Sequence, residues 1–356
     1  MPIDDLTMDE AVETVGELVQ DGRRTGRTHQ VATVNVDFIV NAVADAAVLR
    51  LLQNADVCLA DGAPVVWGAR AAGTPIRERI AGADLVPALA ERSVTEGWRI
   101  HLFGSAPGTA ERAAQLLRDR FPGACITGDS GPMLADVTTA DDALLESLVA
   151  ADADILCVAL GNPKQERFID AHRDRLKTPV LIGVGGTLDF IVGGRRRAPR
   201  WAQRVGLEWV FRAAQEPMRL GKRYAHDAVV FFPRLARSLR ELRVDAKTAD
   251  VLRYENCGDE ILVTTGASNR GAVTWSEVVD AIQSGCRSIA LDLGQAGRLS
   301  TSAVCELAGL VRVARRTNIH WNVLRPPSSS VSRQLHAIGL ETYLLDAETT
   351  GVHDER

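Results

Sequence analysis

Residues 155–189 read ILCVALGNPKQERFIDAHRDRLKTPVLIGVGGTLD, and this stretch decides the fold. A short unbroken apolar run, Ile155–Leu160, ends in the turn Gly161-Asn162-Pro163-Lys164-Gln165-Glu166. A helical pattern follows. A second apolar run, Val180–Val184, then ends in Gly185-Gly186-Thr187-Leu188-Asp189. Strands apolar at every position, not at alternate ones, are buried on both faces. Two such strands joined through a helix form a parallel pair.

The same grammar extends outward. His29–Asn35, Val57–Ala60, Arg99–Phe103 and Cys125–Gly128 supply four more short strands, with helical patterns between them such as Phe38–Gln53 and Thr109–Arg120. Ahead of the first strand, Thr7 and Glu10 form a capping box that opens a helix stopping near Gly22. The expectation is an α/β fold: a Rossmann-like parallel sheet with helices on both faces. A last helix, Val229–Arg243, gives way to the polar stretch VDAKTAD (residues 244–250). A smaller α/β pattern follows, with strands at Ile261–Thr265, Ser288–Leu293, His320–Val323 and Tyr343–Leu345. The chain divides on this reading into residues 1–245, a linker 246–254 and a second domain 255–350.

Composition sets limits on function. Hydrophobic residues make up 46% of the 356 positions but aromatics only 5%, so Ala, Val and Leu do most of the packing. A net charge of −5 gives no global case for nucleic acid. The charge is uneven, however: residues 195–243 hold 13 Lys and Arg against 4 Asp and Glu. A basic segment inside an acidic chain points to an anionic partner for that segment. Cys58, Cys125, Cys157, Cys257, Cys286 and Cys305 form no CxxC pair and read as buried reduced thiols. No apolar stretch approaches the roughly 20 residues that span a bilayer, and no apolar signal segment opens the chain, which suggests a cytoplasmic protein.

Ligands of open parallel sheets bind beyond the carboxyl ends of the strands. Five strand ends here carry unusual residues: Thr33 and Asn35, Asp61-Gly62, Gly104-Ser105, Gly161 to Glu166, and Gly185 to Asp189. Glycines there let backbone N–H groups approach phosphate oxygens. Taken singly, each is also an ordinary βα turn, and Asp61 before Gly62-Ala63-Pro64 also reads as a helix N-cap. No GxGxxG, GxxxxGK[ST], HExxH or GxSxG pattern occurs. Asp152-Ala153-Asp154 has the spacing of a metal-binding pair but precedes a strand, and reads as a helix-to-strand turn. Neither a metal nor another cofactor is implied.

In combination these residues resemble the WecG/TagA/CpsF family of glycosyltransferases (glycosyltransferase family 26). The resemblance rests on Thr33-Val34-Asn35, Ala60-Asp61-Gly62, Gly161 to Glu166, Gly185 to Asp189 and Arg197-Ala198-Pro199, then Leu207-Glu208-Trp209, Glu216-Pro217 and Arg223-Tyr224. It covers about residues 5–240. It implies an inverting, metal-independent transfer of an N-acetylmannosamine-type or related sugar from a UDP donor to a polyprenyl-diphosphate-linked acceptor. On that resemblance Asp61 is the general base and Thr33 its neighbour in the catalytic pocket. Asn35, Gln165 and Asp189 contact the donor nucleotide, with Gly104, Lys164, Gly185 and Gly186 also on the donor side. Arg212, Arg219 and Arg223, or Lys222 in the place of one of them, face the diphosphates.

Basic and apolar residues alternate through the basic arm, residues 195–243, which suits an anionic membrane surface at the inner face of the cell membrane. A packed helical hairpin with a solvated basic face is the plainer alternative. The second domain resembles a STAS domain through Ala290-Leu291-Asp292-Leu293, Leu299-Ser300-Thr301-Ser302-Ala303 and Ile338-Gly339-Leu340. Regulatory STAS loops read Asp-Ser-Ser-Gly with the first Ser phosphorylated; here Ser300, Thr301 and Ala303 replace the Asp, that Ser and the Gly. Thr301 is the regulatory candidate, and a plain docking module for a protein partner is the other reading. An inactive nucleotide-sugar sensor acting through this domain is the alternative function.

Overall fold

The computed structural model describes residues 3–72, 76–193, 211, 221–245, 250–266, 278, 281–282, 285–317 and 319–337. They form two compact units that divide between Arg234 and Leu235. In the first, six parallel strands run in the order β2-β1-β6-β5-β3-β4. They are β1 (His29–Val34), β2 (Val57–Ala60), β3 (Arg99–Gly104), β4 (Cys125–Asp129), β5 (Ile155–Ala159) and β6 (Val180–Gly183). Helices α1 (Met8–Thr25), α2 (Val36–Ala44), α3 (Ala46–Asn54), α4 (Ala63–Ala71), α5 (Gly82–Glu96), α6 (Thr109–Arg120), α7 (Asp142–Ala150), α8 (Lys164–Leu176) and α9 (Thr187–Ile191) connect them, and α10 (Lys222–Asp245) follows.

The doubly buried strands explain why helices cover both faces. Ile155, Cys157 and Ala159 of β5 join one core with residues of α1, α5 and α6. Leu156 and Val158, pointing the other way, join a second core with α7 and α8. A third cluster packs Ala32, Val34 and Cys58 against Phe38, Val48 and Leu52 of α2 and α3. Period-two alternation thus sends each strand's apolar residues into two different cores.

Several local expectations are corrected. The stretch Phe38–Gln53 is two helices, because Asp45 adopts an extended conformation (φ −132°, ψ 112°) and caps α3 through Ala47 N–H at 2.8 Å. Helix α1 does have the Thr7–Glu10 capping box, but it runs past Gly22 to Thr25 and ends on Gly26 in the left-handed conformation. Gly22 serves close packing there, not termination: a Cβ would lie 2.7 Å from the Pro179 Cβ. Cys58, Cys157 and Cys286 are buried free thiols, whereas Cys125 and Cys257 are exposed; the side chain of Cys305 lies outside the described set.

The second unit holds a four-stranded sheet in the order β10-β9-β8-β7. Its strands are β7 (Val251–Asn256), β8 (Glu260–Gly266), β9 (Ser288–Asp292) and β10 (His320–Arg325), with helices α11 (Thr301–Thr317) and α12 (Ser329–Ala337). β7 pairs antiparallel with β8; the other pairs are parallel. β7 begins inside the stretch read as a linker. Leu252 and Tyr254 of β7 are buried, and this alternation was the signal for a half-buried strand. Tyr343–Leu345 lies outside the described residues, as do Arg197-Ala198-Pro199, Leu207-Glu208-Trp209, Glu216-Pro217 and Ile338-Gly339-Leu340.

Candidate functional site

The carboxyl ends of β1, β2, β3, β5 and β6 open onto one cavity of about 310 Å³. Thr33, Asn35, Asp61, Gln165, Gly185, Gly186 and Asp189 line it, together with Arg223 from the first turn of α10. Gly104 and Lys164 are not in the lining. Lys164 opens α8 on its solvent side while Gln165 and Glu166 turn inward. Ser105, next to Gly104, takes the place at the cavity. Arg212 and Arg219 lie outside the described residues.

Each lining group has a local cause. The buried Thr33 hydroxyl donates to the Gly183 carbonyl of the neighbouring strand at 2.8 Å, so its oxygen faces any ligand as an acceptor. Asn35 is the N-cap of α2: its Oδ1 accepts from Phe38 N–H at 2.9 Å, which leaves the amide NH₂ as its donor. Asp61 follows β2, and its N–H is held by the Val34 carbonyl at 2.8 Å. Asp61 does not cap α4. Gly62 is the N-cap there, with no side-chain bond.

Gly104 and Ser105 both have positive φ, +97° and +72°. A Cβ on Gly104 would sit 3.1 Å from the Ala159 carbonyl oxygen, so β3 and β5 approach closely only with glycine there. Ser105 is not a glycine, and a left-handed backbone costs it of order 1 kcal/mol. The Ser105 Oγ donates to Asp189 Oδ1 at 2.9 Å, which orients that carboxylate at the cavity.

Gln165 is more internal than a ligand contact requires. It is buried, and its Oε1 accepts from Gly185 N–H at 2.8 Å while its Nε2 donates to Glu166 Oε1 at 2.7 Å. The Gly185 N–H is therefore already committed, and Gly186 is the remaining backbone donor of that turn. A Cβ on Gly183 would meet Gln165 Nε2 at 2.6 Å, so glycine lets the amide lie against β6.

The electrostatics were less visible in sequence. Asp37, also in the lining, sits in the first turn of α2, 4.0 Å from the Arg223 guanidinium. Burial raises its carboxyl above the usual range, and Arg223 and His226 offset this only in part. Asp227 of α10 is raised too, first by burial and then by Asp37. Asp37 escaped notice because an acidic residue in a first helical turn is an ordinary dipole partner; its spacing of two from Asn35 was the available signal. Among the described residues, no three His, Cys, Asp or Glu side chains are grouped to hold a metal.

Comparison with known proteins shows the family. Residues 1–245 match the glycosyl transferase WecG/TagA/CpsF family. An N-acetylglucosaminyldiphosphoundecaprenol N-acetyl-beta-D-mannosaminyltransferase of Bacillus spizizenii strain W23 is 31% identical over 189 residues, 53% of this chain and 72% of that protein. The enzyme of the same description from Staphylococcus aureus strain MW2 is 25% identical over 213 residues, 60% of this chain and 82% of that protein. By the extent of the family match, the chain belongs to the WecG/TagA/CpsF family of glycosyl transferases.

Proposed function

We propose that this hexosyltransferase moves an N-acetylhexosamine-type sugar, N-acetylmannosamine or a relative of it, from a UDP donor to a polyprenyl-diphosphate-linked acceptor, with inversion and without a metal. The observation that carries the reading is one cavity at five strand ends that holds Asp61, Thr33, Asn35, Asp189 and Arg223 together. The activity named for the two relatives supports the acceptor class. An inverting transfer needs one base to take the acceptor hydroxyl's proton as it attacks the anomeric carbon, and Asp61 is assigned that role. Departing UDP gains negative charge, for which guanidiniums are suited stabilisers. Among the described lining residues, Asp37, Asp61 and Asp189 outnumber Arg223. Arg212 and Arg219 from the basic arm are assigned to balance the diphosphates.

A donor screen tests the proposal: UDP release from a panel of UDP-sugars, with and without a soluble polyprenyl-diphosphate-GlcNAc analogue. At least one N-acetylhexosamine donor should give acceptor-dependent release; none doing so would sink the reading. Chelation tests its metal-free part. Turnover in excess EDTA is expected to stay within about twofold of the untreated rate, since no step is assigned to a Lewis acid. Loss on chelation with recovery in Mg²⁺ or Mn²⁺ would refute it.

The arm is assigned to an anionic membrane surface at the inner face of the cell membrane. No described helix is long and apolar enough to cross a bilayer. What supports a surface role is α10 itself, where Val229 and Phe232 are exposed beside exposed Arg234, Arg237 and Arg240. At about 1 kcal/mol per basic residue, replacing those three arginines with Ala should weaken binding to phosphatidylserine vesicles about a hundredfold. Sedimentation that is unchanged by the triple substitution would remove α10 from the membrane.

The second domain, read as 255–350 after a boundary at 246–254 but with its sheet starting at β7, is assigned to a STAS-like docking or phosphorylated module. Ser300 caps α11 there, its Oγ accepting from Ala303 N–H at 3.1 Å. Thr301 opens that helix.

A further inference from the structure

Behind the cavity lies a buried carboxylate to which no step has been assigned. Glu166 is fully buried on α8. Its Oε1 accepts from Gln165 Nε2 at 2.7 Å and its Oε2 from Asn162 Nδ2 at 3.1 Å. Asn162 Oδ1 in turn accepts from Asn41 Nδ2 at 3.0 Å, and Gln165 Oε1 accepts from Gly185 N–H at 2.8 Å. Two of these orientations follow from chemistry alone. A backbone N–H can only donate, so Gln165 must turn its oxygen to Gly185 and its NH₂ to Glu166. An ionised carboxylate can only accept, so Asn162 must turn its NH₂ to Glu166 as well.

We propose that Glu166 is the positioning residue of the cavity wall: its two oxygens hold the Gln165 and Asn162 amides, and through Gln165 they hold the Gly185–Gly186 turn. A buried charge without a cation is costly. Burial accordingly raises this carboxyl to about 7, against the opposing hydrogen bonds of Gln165 and Asn162. What the acid supplies is two acceptors converging on two amides that line the cavity. With Glu166 removed, the Gln165 NH₂ would be buried without a partner. It would turn away, and Gly185 N–H would lose its acceptor.

The effect on donor binding rests on the function proposed above; the positioning itself does not, so the two are read separately. The full chain, labelled at glycine with ¹⁵N, is studied at pH 8, where Glu166 is ionised. The Gly185 amide signal is identified by its loss in Gly185→Ala. In Glu166→Met its hydrogen exchange should quicken by about tenfold or more, the equivalent of one lost hydrogen bond. Glu166→Asp, one methylene short of spanning both amides, should do the same, and it serves where the Met variant does not fold. Glu166→Gln should retain the wild-type rate: one amide oxygen suffices for Gln165, and Asn162 and Asn41 can turn together to accommodate the new NH₂. Exchange in the Met and Asp variants within about threefold of wild type overturns the proposal, because that is less than one hydrogen bond. So does a Gln variant as fast as the Met variant, which would mean that the charge matters and the acceptor geometry does not. UDP titrated by calorimetry forms the second arm: about tenfold weaker binding is expected in Glu166→Met and near wild-type binding in Glu166→Gln. A wild-type protein that does not bind UDP refutes the donor assignment and leaves the exchange result standing.

Discussion

Asp61→Asn is expected to lower kcat for acceptor-dependent UDP release by about 10²- to 10⁴-fold, the range a positioned general base supplies. The substitution keeps shape and removes the ability to take a proton, so the donor KM should change little. Its effect can be separated from folding. Asp61 is not the cap of α4, where Gly62 stands with no side-chain bond, so the variant loses no helix-capping bond. A folded variant with collapsed turnover is the expected pattern. Turnover within a few-fold of wild type would remove Asp61 from the chemistry. A large rise in donor KM at constant kcat would place it in nucleotide binding instead.

The architecture was legible because its signals are local. Doubly buried strands such as Ile155–Ala159 announce themselves as unbroken apolar runs, and the five polar strand ends follow from parallel topology. What was illegible depends on where side chains meet in space. Gln165 lines the cavity as a donor contact would, but its bonds to Gly185 and Glu166 could be read only from the structure. Glu166 is one more charged residue in a helix that also holds Lys164, Arg167 and Asp170; only burial distinguishes it. Asp37 and Arg223 are 186 positions apart, and no periodicity relates them. Strand β7 was missed for a different reason: it is an edge strand whose alternating Leu252 and Tyr254 sit among polar residues.

The amino ends of the first unit's strands, opposite the cavity, carry the largest expected effect on stability. Asp154, just before β5, is 2% exposed. Its Oδ1 accepts from Arg23 Nε of α1 at 2.8 Å and its Oδ2 from Arg99 N–H of β3 at 2.8 Å. One carboxylate thus ties the last turn of α1 to the first residue of β3. Burial pushes its carboxyl up, but the Arg23 and Arg99 bonds outweigh this and hold it below the usual range. Asp154→Ala should destabilise the first unit by about 3 kcal/mol, mainly from the orphaned Arg99 N–H and the lost charge-assisted bond. Arg23 is 44% exposed, and water can rehydrate it, which keeps the loss below that of a fully buried pair. The pH dependence has a definite sign. A carboxyl with a lowered folded pKa stabilises above its unfolded pKa, and that contribution is lost as the pH falls through the folded value. The gap between Asp154→Ala and wild type should therefore be full at neutral pH and narrow below about pH 4, where the ionisation-dependent part is lost while the Arg99 N–H bond remains. Asp152 provides the contrast. Its side chain is 76% exposed and pairs with the half-exposed Arg99, so Asp152→Asn, which suits the left-handed backbone there (φ +47°), should cost no more than about 0.5 kcal/mol. Both variants lie at the amino ends of the strands, away from the cavity, and should keep wild-type turnover per folded molecule. Equal destabilisation by the two substitutions would refute the burial argument. Loss of turnover in both, with folding intact, would return the Asp-Ala-Asp spacing to consideration as a metal-binding pair.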